Sequence, residues 1–178
     1  DNLLVKCWGE NPYGQLGLGD TNNRGDGSGE MGDNLATVDL GSGRTAKAIA
    51  AGDSHTCAIL DNSSVKCWGA NASGQLGLGD DDNRGDGSAS GGMGDNLTIV
   101  DLGTGRTAKA IATGDSHTCA LLDNALVKCW GENGNRQLGL GPNISSNRGD
   151  GSGEMGDSLT VINLGSERTA TSITTGTG

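Results

Sequence analysis

The sequence predicts an all-β fold built from β-propeller-type blades, as three tandem four-stranded repeats of about 60 residues in a partial or open array. Three observations predict it. The segment Val5-Lys6-Cys7-Trp8-Gly9 recurs at 65–69 and again at 127–131. Glycine makes up 34 of 178 residues, aromatic residues only 2%, and there is no Phe. Such a chain cannot build a thick core, so thin repeated layers joined by tight turns are the natural solution. Finally, apolar runs are short and turn-bounded, and none keeps a long helical period.

Each copy reads as four strands in order. In the second to third copy the first is Leu97-Thr98-Ile99-Val100-Asp101-Leu102, and the second is Ala108-Lys109-Ala110-Ile111-Ala112. The third is His117-Thr118-Cys119-Ala120-Leu121-Leu122, and the fourth is Leu126-Val127-Lys128-Cys129-Trp130. A loop of about 25 residues follows the fourth strand and carries Gly-Gln-Leu-Gly-Leu-Gly and Asn-Arg-Gly-Asp-Gly-Ser. The copies divide as residues 1–60, 61–122 and 123–178.

The run Gly114-Asp115-Ser116-His117-Thr118-Cys119-Ala120-Leu121, followed by Val127 through Gly141, resembles the repeat of the family named for the regulator of chromosome condensation (RCC1). The resemblance covers essentially the whole chain and implies a β-propeller, commonly of seven blades. Two features depart from it: the Gly/Asp-rich loop is longer, and only three copies are present.

The phase of the repeats leaves one strand unaccounted for. Asp1-Asn2 matches Asp61-Asn62, and Thr175-Gly176-Thr177-Gly178 matches Ala51-Gly52-Asp53-Ser54. A strand equivalent to His55–Leu60 is missing, so Leu3 to Trp8 is expected to form an edge strand without its hairpin partner. Either the sequence is a window on a longer array, the favoured reading, or copies join end to end and complete one another.

The cysteines follow from hairpin arithmetic. A three-residue loop Asp61-Asn62-Ser63 sets Cys57 opposite Cys67, and Asp123-Asn124-Ala125 sets Cys119 opposite Cys129. Asn is the residue expected to take the left-handed conformation of each loop. Directly opposed Cα atoms lie within disulfide range, so two disulfides are expected, with Cys7 unpaired within the chain. Disulfides imply an oxidising compartment, hence an extracellular or cell-surface protein. Five reduced, buried cysteines are the competing reading.

Other signals weigh less. The tripeptides Arg24-Gly25-Asp26, Arg84-Gly85-Asp86 and Arg148-Gly149-Asp150 are candidate interaction loops, although each is simply part of the copied repeat. The loops starting at Asp20 and Asp80 are calcium-like in composition but fail the EF-hand pattern, so they read as solvated acidic loops, with irregular calcium sites as the alternative. No cofactor is expected. Asn62, Asn71, Asn96 and Asn143 stand in Asn-x-Ser/Thr sequons, with Asn62 and Asn143 the more accessible and Asn71 given a structural role by its position in the repeat. Trp8, Trp68 and Trp130, one per copy, are expected to pack between blades.

Net charge is −10, which argues against nucleic acid, and no apolar run is long enough to span a membrane. The two His residues occupy equivalent repeat positions, and no Ser, Cys or carboxylate breaks the repeat near them, so no catalytic constellation is expected. The favoured function is a non-enzymatic extracellular scaffold with a structural or adhesive role, assembling end to end into a fibre. Its partners would be copies of itself or further repeats. The alternatives are a ligand- or protein-binding propeller domain of a larger secreted protein and, less favoured, a guanine-nucleotide exchange factor.

Overall fold

A computed structural model describes residues 3–89 and 92–176. Asp1, Asn2, Thr177 and Gly178, which help set the repeat phase, lie outside the described residues. Among the described residues, six strands form two antiparallel sheets. The first holds β1 (Ala46–Ala51), β2 (His55–Leu60) and β3 (Val65–Gly69), and the second holds β4 (Ala108–Thr113), β5 (His117–Leu122) and β6 (Val127–Gly131). Strand β4 packs against both β1 and β2, so the sheets stack as successive blades with their first strands adjacent.

The β2–β3 register sets Cys57 opposite Cys67, and β5–β6 sets Cys119 opposite Cys129, as the three-residue hairpin requires. The conformation within the loop differs from expectation. Ser63 and Ala125, not Asn62 and Asn124, take positive φ, at 66° and 63°. The Asn62 side chain instead accepts the backbone N–H of Ser64, and that of Asn124 accepts Leu126 N–H. These Asx-type contacts hold the asparagine in place and pass the left-handed turn to the next residue.

Each sheet has three strands, not four. Residues 97–102 make a single ladder-type bond to the neighbouring strand, from Val100 N–H to Val65 C=O at 2.8 Å. Val38 to Val5 and Ile162 to Val127 repeat it. The cause is local: a 3₁₀ turn at Gly94–Asn96 precedes the segment, and Leu97, Val100 and Leu102 are its buried residues. That spacing of three then two cannot keep one face of a pleated strand. Equivalent turns lie at Gly32–Asn34 and Gly156–Ser158 within the long loops. Residues 3–8 are also not a regular strand.

The core is layered. Ala58, Leu60 and Trp68 face residues 5–7 across one layer, together with Val38 and Leu40. Cys57, Ile59, Val65 and Cys67 face the second sheet across the next, meeting Ala120, Leu122 and Trp130. Cys119, Val127, Cys129 and Leu138 face a third, with Ile162 and Ile173.

Candidate functional site

The residues that recur in every copy converge on the joints between copies. At the joint beside the first sheet, the Gln15 carbonyl accepts two hydrogen bonds, from the Thr56 hydroxyl at 2.9 Å and the Trp68 indole at 3.0 Å. Gln75 does the same for Thr118 at 2.8 Å and Trp130 at 3.0 Å. The Gln-Leu-Gly-Leu-Gly loop is therefore a cover for the next copy's tryptophan. A Cβ on Gly17 would lie 2.7 Å from Trp68 Nε1, so only glycine lets the loop lie flat on the indole. Trp68 and Trp130 are wholly buried between blades, whereas Trp8, over which no such loop lies among the described residues, is 62% exposed.

His55 Nε2 lies 2.9 Å from Thr118 Oγ1. That hydroxyl already donates to Gln75, so it accepts from the imidazole N–H and fixes the neutral Nε2–H tautomer. Burial, and then the neighbouring His117, push the His55 pKa down to about 4. The ring is an inter-blade strut that stays uncharged at neutral pH. Burial also lowers the pKa of His117.

Lys66 and Lys128 are buried cations held by carbonyls. Lys66 Nζ donates to Leu40 O at 3.0 Å and Gly94 O at 2.6 Å, and Lys128 to Leu102 O and Gly156 O at 3.1 and 2.7 Å. Asp95 lies close to Lys66, and its carboxylate accepts both the N–H and the hydroxyl of Ser42, which holds its pKa below the usual range. Asp157 and Thr104 repeat the arrangement.

The Arg-Gly-Asp segments are part of the same joints. Gly85 and Gly149 are buried, and their carbonyls accept the N–H of Gly19 and Gly79 from the preceding copy. Arg24 and Arg84 turn inward to Asp20 and Asp80, at 2.6 and 2.7 Å. Arg148, whose copy has no equivalent Asp, lies 3.7 Å from Glu154. Asp26 is exposed, and Asp86 and Asp150 are half-buried. Two carboxylates of the first calcium-like loop have protein partners: Asp20 holds Arg24 and Asn22 N–H, and Glu30 accepts the N–H of Gly25 and Gly27. Among the described residues, no three His, Cys, Asp or Glu side chains converge as a metal site.

The sulfurs of Cys57–Cys67 and Cys119–Cys129 lie at disulfide distance, with Cα atoms 4.1 Å apart in both pairs. Cys7 is a free, half-buried thiol whose pKa burial raises. Asn71 is corrected as a glycan acceptor. It is fully buried, accepts Leu76 N–H and donates to Asp80 O at 2.7 Å, so no glycan reaches it in the folded chain. Asn62, Asn96 and Asn143 are exposed. The joint roles of Thr56, Lys66 and Asp95 escaped sequence reasoning. Their identical spacing in each copy was the available signal, but a buried lysine bonded only to carbonyls has no sequence signature.

These joints leave Asp81-Asp82 and the inserted Pro142–Ser146 stretch as places where one copy departs from the others on the surface. Both lie in the long loops, and the insert is held by a hydrogen bond from Arg136 to the Pro142 carbonyl.

Profiles of the regulator of chromosome condensation (RCC1) repeat match residues 5–59 and, in a second form, 46–75 and 108–137, together more than half of the chain. The ultraviolet-B receptor UVR8 of Arabidopsis thaliana is 32% identical over 141 residues, covering 78% of this chain and 28% of the receptor. The probable E3 ubiquitin-protein ligase HERC4 of Homo sapiens is 34% identical over 137 residues, covering 76% of this chain and 11% of the ligase. Among solved structures, yeast RCC1 (Prp20) bound to Kap60 superposes with a TM-score of 0.61 at 20% identity, over 88% of this chain and 32% of that one. Human WBSCR16 gives 0.56 at 20% identity, over 81% and 34%. These two likenesses show the β-propeller fold. The chain spans about a third or less of the length of each of these proteins.

Proposed function

This chain belongs to the regulator of chromosome condensation (RCC1) repeat family, and we propose that it works as a non-catalytic, protein-binding propeller scaffold stapled for an oxidising, extracellular setting. The observation that carries the reading is how the recurring polar residues are used. Gln15, Trp68, His55, Lys66 and Asp95 all join one copy to the next, which leaves the departing loops as the surface for recognition. Relatives support a protein partner: Prp20 is solved bound to Kap60, and its binding to Gsp1p and histones has been studied. With a net charge of −10 and Asp81-Asp82 exposed, the complementary partner here has a basic face. The cysteine pairs support the extracellular location.

Two measurements test it. The intact mass of native material should rise by about 4 Da on reduction, as two disulfides take up hydrogen; no change removes the oxidising setting. Core histones serve as a basic protein probe. They should bind in a salt-sensitive way, and less tightly to the Asp81→Asn/Asp82→Asn variant at unchanged melting temperature. Equal binding to both proteins removes the acidic loop from the recognition surface. A structural or adhesive role through end-to-end assembly is the finer version of the same reading, and the test for it is concentration-dependent growth in sedimentation.

A further inference from the structure

The turn at each Arg-Gly-Asp segment is built around a carboxylate in two copies and not in the third. In the first copy, Glu30 Oε2 accepts the N–H of Gly25 and of Gly27, both at 2.8 Å. In the last, Glu154 Oε2 accepts those of Gly149 and Gly151, at 3.1 and 3.0 Å. Two amides thus converge on one oxygen, an arrangement of backbone N–H groups that favours an anion. The bonds from Gly27 and then Gly25 hold the Glu30 carboxyl below the usual carboxylate range.

The middle copy keeps the two glycine amides and lacks the acid. Where the others read Gly-Asp-Gly-Ser-Gly-Glu-Met, it reads Gly85-Asp86-Gly87-Ser88-Ala89-Ser90-Gly91-Gly92-Met93, and no carboxylate stands between Asp86 and Asp95. The backbone leading to the amides is the same. Arg84 N–H bonds Gly69 O at 3.1 Å, as Arg24 bonds Gly9 O and Arg148 bonds Gly131 O at 3.0 and 3.1 Å. Gly85 has φ of 85°, against 93° at Gly25 and 92° at Gly149. The copies part after the Gly87 amide, where φ is 84° and Asp86 Oδ1 accepts Ser88 N–H. Among the described residues, the N–H groups of Gly85 and Gly87 have no hydrogen-bond partner. Gly85 is buried, where an amide without a partner is rare, and Gly87 is exposed.

We propose that the Gly85 and Gly87 amides form a recognition site for a carboxylate carried by an acidic side chain of a partner protein. The chain itself shows that a carboxylate suits this position, and Asp26 and Asp150, the counterparts of Asp86, do not prevent it in the copies where Glu is bound. Arg84 is tied to Asp80 at 2.7 Å, so two amides act without a free cation. That suits a single negative charge held within a larger interface better than a phosphate dianion. The site stands independently of the acidic-loop reading above and adds one required acidic residue to the partner.

The test is amide NMR on the isotope-labelled full chain, with sodium acetate as the probe against sodium chloride at equal ionic strength. Acetate should shift the Gly85 and Gly87 amide protons downfield and saturably. It should leave those of Gly25, Gly27, Gly149 and Gly151 unmoved, because Glu30 and Glu154 already hold them. A variant with residues 88–92 replaced by Ser-Gly-Glu, the sequence of residues 28–30, should lose the acetate response. Its Gly85 and Gly87 amides should be downfield without acetate. Inorganic phosphate should give no larger response than acetate. Absence of a saturable shift, an equal shift at all of these amides, or a response that survives the loop replacement overturns the proposal, as does a stronger response to phosphate. The Asp81→Asn/Asp82→Asn variant should keep the acetate response, which separates failure of this site from failure of the acidic loop.

Discussion

Residues 5–9 and 65–69 carry the same five side chains, Val-Lys-Cys-Trp-Gly, and end in different states. The second set is a strand buried at every position. The first is not a regular strand, and its tryptophan is largely exposed. Both sets keep the contacts that their own copy supplies: Lys6 bonds Gly32 O as Lys66 bonds Gly94 O, and Val5 accepts Val38 as Val65 accepts Val100. What differs is the neighbour on each side. β2 sits beside 65–69, and the Gln15–Gly17 loop lies over Trp68. Local sequence is thus not enough to make a blade strand here; the adjoining copy is required, as expected of a stacked array.

The comparison can be broken most sharply at tryptophan. Trp68→Ala should cost about 4 kcal/mol in urea unfolding, and Trp8→Ala should stay within about 0.5 kcal/mol. Equal losses would mean that the copies are energetically alike.

The joint can next be loosened by acid. The His55 pKa is lowered in the folded state, so the unfolded chain takes up the proton first. Stability is complete above pH 6.5 and falls as the pH drops toward about 4, by up to about 3 kcal/mol for this one group. His55→Gln should flatten the slope in that window. An unchanged slope would assign it to the carboxylates.

Removing the staple comes third. Cys57→Ser/Cys67→Ser should cost about 2.7 kcal/mol, the loop-entropy value for a closure of this length, while Cys7→Ser should leave the melting temperature nearly unchanged. The smallest effect is expected at Asn71. Its alanine variant loses the buried loop network at a cost of about 2 kcal/mol, and Asn62→Ala, at an exposed hairpin tip, costs far less.

Much of the fold was legible in the sequence because it rests on short-range rules. Hairpin length determines which cysteines face each other, and period-two patterning places Ile59 and Val65 on one face. The outer strand was not legible. Residues 97–102 are apolar enough to suggest a strand, but the preceding 3₁₀ turn rotates Leu97 out of phase with Val100 and Leu102. The joint residues were only half visible. Recurrence marked Trp68 and Gln15, yet a carbonyl acceptor shared by Thr56 and Trp68 involves residues more than 40 positions away from it and leaves no local pattern.

By itself the sequence determined the repeat, its all-β character, the register of each hairpin and the opposition of its cysteines. The register and the cysteine opposition depend on residues within about ten positions of one another. Only the tertiary structure decided which copy of an identical segment becomes a buried strand, and that the Arg-Gly-Asp segments serve the joints. Each of those depends on what the neighbouring copy places against the residue, and burial between blades is a property of the pair rather than of either sequence alone.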